Sequence, residues 1–208
     1  MKIIQLFLLF LYLLFLPKTS LGNDFNVVDF FNNIDTMRAE FTQINKGVTS
    51  TSAIQGSGEI FLEKPNKLFW EMLEPYRKTM VINGSTMIFY DEDLNQALIS
   101  DYIKDNNSSW INLFMESKYS NDAQLIKEQT LIGDQYYVSF MIDDFRDQYK
   151  SVIFVFQNER LNKVKLEDLS SQTIEIEFTA FEINPIIKET LFNFTVPQSA
   201  DVIDQRGE

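Results

Sequence analysis

Two acidic clusters, Asp91-Glu92-Asp93 and Asp143-Asp144, are where this chain gathers groups able to do chemistry. Paired carboxylates serve as acid and base in glycoside hydrolysis. Both clusters fall at strand ends among turn-forming residues, and they read as solvated turns. Calcium would need ligands spaced through a loop with its glycine and closing glutamate, and neither cluster has that pattern. The chain contains no histidine and no cysteine. That removes imidazole bases, thiol nucleophiles, disulfides and zinc sites built from those residues. Any hydrolase here would work from carboxylates, lysine or tyrosine alone, and nothing singles out a Ser-Lys dyad. The 7 glycines are scattered, so no phosphate cradle forms. A net charge of −12 opposes binding to nucleic acid, whose phosphates want a basic surface. The expectation is no enzyme, no catalytic residue, no metal and no cofactor.

The apolar residues say more. The chain holds 19 Phe, 8 Tyr and 2 Trp. Large rings fill a core at small entropic cost, and they also wall apolar cavities. The segment Glu63-Lys64-Pro65-Asn66-Lys67-Leu68-Phe69-Trp70-Glu71-Met72 is the most informative. On a strand, side chains alternate, so Leu68, Trp70 and Met72 share one face. Lys64 stands just before the turn, at the mouth of that face. An ammonium there can hold backbone carbonyls of a covering segment or meet a polar headgroup. The plainer alternative is a surface lysine beside a core tryptophan.

The elements that must position these residues are mostly strands. Residues 1–22 read as a cleaved secretory signal, with Lys2, an apolar run from Ile3 to Leu16 and a small-x-small site at Ser20-Leu21-Gly22. The mature chain is then a single domain, 23–208, in the periplasm or outside the cell. Residues 24–37 carry helical spacing, with Asp24 as cap. Strand signals follow at Arg38–Ile44, Gly58–Glu63, Lys67–Leu73, Arg77–Ile82, Ser85–Tyr90 and Gln96–Ser100, with Thr49–Gln55 as a polar turn and Asn83-Gly84 as the strongest hairpin signal. Ser109 can cap a short helix, Trp110–Met115. Strands resume at Gln135–Ile142, Tyr149–Gln157, Leu161–Glu167 and Gln172–Asn184. The short connections predict an antiparallel meander. In Gln172–Asn184 the apolar parity flips between Ala180 and Phe181, which predicts a bulge or bend. Several strands, such as Val152-Ile153-Phe154-Val155-Phe156, are apolar on both faces, so both faces of the sheet must be covered.

At the Lys64–Met72 segment the chain resembles the LolA family of periplasmic outer-membrane lipoprotein carriers. Lys-Pro-Asn-x-x-x-Trp follows Gly-Ser-Gly-Glu-Ile-Phe-Leu. Phe41-Thr42-Gln43, Asn83-Gly84-Ser85, Met87-Ile88-Phe89-Tyr90-Asp91 and Phe194-Thr195-Val196-Pro197 stand in the family's order. The resemblance implies a mainly β (α+β) fold: a strongly curved, incompletely closed antiparallel β-barrel with short helices forming a lid over an apolar cavity. It implies a monomeric carrier that accepts acylated lipoproteins from an inner-membrane ABC exporter, shields their acyl chains and passes them to an outer-membrane receptor. Leu68, Trp70 and Met72 would line the cavity; Lys64, Trp110, Leu113 and Phe114 would belong to the lid. The family typically has Arg where this chain has Lys64, which keeps the charge and loses the planar fork. Many members have Phe where Leu68 stands. The related receptor shares the fold but is anchored through a cysteine, which this chain lacks. Two other readings stand beside the carrier of lipoproteins: a carrier of a free lipid or glycolipid, and a carboxylate-dependent periplasmic hydrolase.

Overall fold

The computed structural model describes residues 25–47, 53–102, 110–115, 126–140 and 148–207. The signal segment, most of the polar turn at 49–55, the acidic pair Asp143-Asp144 and the cap at Ser109 lie outside these residues.

A single curved sheet carries the molecule. Its strands are β1 (Thr36–Lys46), β2 (Ile54–Glu63), β3 (Lys67–Glu74), β4 (Lys78–Asn83), β5 (Thr86–Asp91), β6 (Gln96–Asp101), β7 (Ile126–Ile132), β8 (Gln135–Phe140), β9 (Tyr149–Gln157), β10 (Arg160–Asp168), β11 (Thr173–Ile183) and β12 (Asp201–Asp204). In space the order is β12-β6-β5-β4-β3-β2-β1-β11-β10-β9-β8-β7. Two meanders, β1 to β6 and β7 to β11, join where β1 pairs antiparallel with β11. The expected antiparallel pattern holds except at one edge, where β12 runs parallel to β6. β12 and β7 close no ladder with each other, so the barrel is open.

Local chemistry explains the joints. Gly84, at φ 65°, sits in the left-handed region that a tight hairpin turn requires, and Asn83 faces Thr86 across it. The turn is therefore Gly84-Ser85, one residue later than the sequence signal. The parity flip in β11 is a bulge: Ala180 adopts φ 48° and the register slips between Arg38↔Glu182 and Glu40↔Thr179. Gly58 lies where β2 and β3 press together, and a Cβ there would stand 2.0 Å from the Glu71 carbonyl oxygen.

The helices are shorter than their sequence signals. α1 spans Val27–Asn32 rather than 24–37, and its cap is Asn26, whose side chain accepts the N–H groups of Val28 at 2.8 Å and Asp29 at 3.2 Å. Ile34 and Met37 are fully buried, but they belong to the following turn and to β1. Their inward direction continues the three-to-four spacing by coincidence of two elements facing one core. α2 spans only Asn112–Met115.

Parts of both faces of the sheet are covered. α1 and α2 fill one end of the concave face. On the convex side the chain after β11 straps over β4 and β5. Its short 3-10 turn, Glu189–Phe192, buries Phe192, and Phe194 lies 5.9 Å from the Tyr90 ring. Asn83 pins the strap by donating to the Phe192 carbonyl at 3.3 Å. Two strands escaped the sequence reading. β7 is an edge whose side chains are nearly all exposed, so it shows no alternation. β12 has four exposed residues and exists because β6 offers a free edge.

Candidate lipid-binding site

The strand directions give the concave face two ends. One holds the start of β1, the Lys64-Pro65-Asn66 turn and Gly84-Ser85. It is closed by α1 and α2. Phe31 packs 5.0 Å from Phe114 and 5.9 Å from both Phe140 and Phe154. Phe30 meets Phe156 edge-on at 5.0 Å, and Phe25 packs against it at a tilt, 4.8 Å away. Side chains then tie the cover down. The Lys64 ammonium donates to the Phe31 carbonyl at 2.7 Å, on the last turn of α1. The Asn184 amide accepts the Asp35 and Thr36 N–H groups and donates to the Asn33 carbonyl at 2.8 Å. Tyr102 donates to Asn112 on α2 at 2.9 Å, and burial pushes the Tyr102 phenol up.

The opposite end, where β3 finishes and β4 begins, is not filled. A cavity of about 280 Å³ opens there, lined by Trp70, Met72, Met80, Phe89, Trp110, Ile111, Leu166, Ile174 and Ile176, with Gln43, Lys78 and Tyr149 as its polar members. That is near the lower edge of the roughly 300–1,000 Å³ of small-ligand sites. Register explains the lining: Trp70 faces Met80, and Met72 faces Lys78, so one face of β3 and β4 supplies four of the walls. Three of these nonaromatic or flexible positions are methionine or lysine, side chains that repack easily. Lys78 pairs with Asp91 at 2.9 Å. Asp91 is 7% exposed, contrary to the expectation that this acidic turn is solvated throughout. The Lys78 ammonium, and then the Leu94 N–H, hold its carboxyl below the usual range. Burial pushes the Tyr149 phenol up, and Asp168 adds to the effect. Among the described residues no carboxylate lines the cavity.

The described residues thus form an open curved sheet with two short helices on its concave side and an apolar hollow beside them. Residues 32–195 match the family model described as outer membrane lipoprotein carrier protein LolA. The chain belongs to the LolA family. An outer-membrane lipoprotein carrier protein from Methylobacillus flagellatus is 27% identical over 179 residues, covering 85% of this chain and 86% of its own. Another from Chromohalobacter salexigens is 28% identical over 158 residues, covering 74% of this chain and 73% of its own. A crystal structure of an uncharacterized conserved protein from Thermus thermophilus shares the fold, with a TM-score of 0.50 and 11% identity over 84% of this chain and 93% of that one.

Within this LolA-family chain the seven residues singled out from sequence divide between the two ends. Trp70 and Met72 line the cavity, and Trp110 lies 5.7 Å from Trp70 at its inner wall. Leu68 does not line it: 0% exposed, it sits in the closed core opposite Ile82. Strand alternation puts it on the right face, but two residues nearer the plugged end. Leu113 and Phe114 are buried in that plug. Lys64 bonds α1 rather than α2. Sequence reading missed the far wall, Leu166, Ile174 and Ile176 on β10 and β11, because those strands meet Trp70 only through the curvature of the sheet. It also missed Lys78 and Tyr149, each of which looked like an ordinary strand-end residue.

Proposed function

We propose that this chain is a periplasmic carrier that hides the acyl chains of lipoproteins and conveys them to the outer membrane. What supports this most is a LolA-family sheet whose concave face holds an apolar hollow next to a cover fastened by side-chain hydrogen bonds. An acyl chain in water costs about 0.8 kcal/mol per exposed CH₂, so a shuttle must enclose it and still release it. The hollow is small while the cover is shut. Loading therefore separates α1 and α2 from the sheet, the rings of Phe31, Phe114 and Trp110 yielding space to the tails. Trp70 and Met72 act as permanent wall, Leu68 as floor once the plug lifts, and Lys64 as the latch. Leu113 moves with α2 as part of the lid. The donor in this reading is an inner-membrane ABC exporter and the acceptor an outer-membrane receptor. The carrier works as a monomer and catalyses no reaction.

The test is release. The mature chain is incubated with vesicles bearing the exporter and a triacylated lipoprotein, and the soluble fraction is assayed. The expected result is a one-to-one soluble complex. Lipoprotein that stays in the membrane while the exporter hydrolyses ATP would overturn the proposal, and native mass spectrometry showing a free lipid in the purified protein would replace lipoprotein cargo with lipid.

A further inference from the structure

The cavity lining is apolar except at three positions. Three polar side chains converge on it: Lys78, Tyr149 and Gln43. They come from three parts of the sheet, β4, β9 and β1, and each has hydrogen-bonding capacity to spare among the described residues. Lys78 has three N–H donors and spends them on one partner, Asp91. Asp91 itself is buried and held by the Leu94 N–H at 3.1 Å, so it fixes the ammonium in place rather than following it into solvent. The Tyr149 hydroxyl has no hydrogen-bond partner among the described residues, although the side chain is half-buried. Gln43 gives its amide N–H to Asn45 at 2.9 Å and keeps its side-chain carbonyl unused. Two donors and one acceptor around an apolar hollow describe a ligand that has tails and, where the tails meet, carbonyl acceptors and an N–H.

We propose that Lys78, Tyr149 and Gln43 bind the ester and amide groups that join acyl chains to an acylated cysteine, so that the cavity recognises the lipid's linkage as well as its tails. This rests on the carrier reading and adds to it a polar register. Lys78 and Tyr149 donate to ester carbonyls at the rim, and Gln43 accepts the amide N–H. The tails then point inward past Trp70 and Met72. A tail-only pocket would take any greasy chain to any depth. A pocket with a polar collar seats the linkage at one depth and leaves the attached polypeptide outside.

The experiment compares two probes on the mature chain by titration calorimetry: a synthetic triacylated cysteinyl peptide, and its diether counterpart, in which both ester carbonyls are replaced by methylene. The tails are the same. The wild-type chain should bind the ester probe at least tenfold more tightly. Y149F removes an unpartnered hydroxyl and nothing else, so it should fold normally and shrink the gap. K78M is combined with D91N so that no buried charge is stranded. With all three changes the gap between the two probes should fall below twofold. Equal wild-type affinity for both probes, or a tenfold gap that survives all three changes, overturns the collar and leaves the carrier reading standing. Failure of the wild-type chain to bind either probe overturns the carrier reading, and the collar with it.

Discussion

The two ends of the concave face are built from the same strands and do opposite things. At one end Leu68, Ile82, Phe31 and Phe154 are sealed from water, and Lys64 and Asn184 fasten the cover from outside. At the other, four residues further along the same faces, Met72 and Lys78 stand half-exposed around a hollow. The closed end spends its aromatics on each other, in close ring contacts around Phe154. The open end offers rings and methionines that lack a full set of neighbours. A carrier needs both: a fold that survives when its hollow is empty, and a surface whose missing contacts a ligand supplies.

Substitutions along β3 should break this contrast most sharply. Leu68→Glu buries a charge in the sealed half and should unfold the chain, a loss of more than about 4 kcal/mol, read by circular dichroism. Phe31→Ala empties the middle of the plug and should cost about 3–5 kcal/mol in urea unfolding. If it costs under about 1 kcal/mol, the plug is not a packed core. Lys64→Met removes the charged donor to the Phe31 carbonyl and should cost about 1.5–3 kcal/mol, with faster amide exchange confined to α1. Lys64→Arg should restore most of the protection. Met72→Glu, only four residues from Leu68, should change stability by about 1 kcal/mol or less while cutting binding of a triacylated peptide at least tenfold. A large stability loss there would erase the distinction between the two ends.

The smallest effect concerns pH. The folded value of the Asp91 carboxyl lies below its ordinary value, through Lys78 first and the Leu94 N–H second. The pair therefore stabilises the fold fully above about pH 4, the ordinary aspartate value, and that contribution disappears as pH falls through the depressed folded value. Melting temperature should stay level down to about pH 4 and then drop. Asp91→Asn should lose this part of the acid dependence and leave the plugged end unaffected.

How far the sequence could be read follows from the same contrast. Hairpins with strong turn residues were legible: Lys64-Pro65-Asn66 and Gly84-Ser85 fall within one residue of their signals, and the parity flip at Ala180 is a real bulge. The helix signal at 24–37 ran too long, because Met37 on β1 and Phe30 on α1 serve one core from two elements. β7 was invisible, since an exposed edge strand has no buried face to alternate. The site was legible where it lay on one strand. Trp70 and Met72 are two residues apart and must share a face. Leu68 shares it too, and nothing in alternation tells the sealed half of a face from the open half.

Residue types alone decided that histidine and cysteine chemistry is impossible in this chain, that its strands are greasy on both sides, and that its hairpins run antiparallel. These are consequences of composition and of short-range sterics, which act between neighbours in the chain. The curvature that brings Ile174 and Leu166 opposite Trp70 and the strap that covers β4 and β5 were settled by tertiary structure. Each depends on contacts between residues far apart in sequence, and whether a given side chain meets another ring or an empty space is a property of the closed surface, not of the strand that carries it.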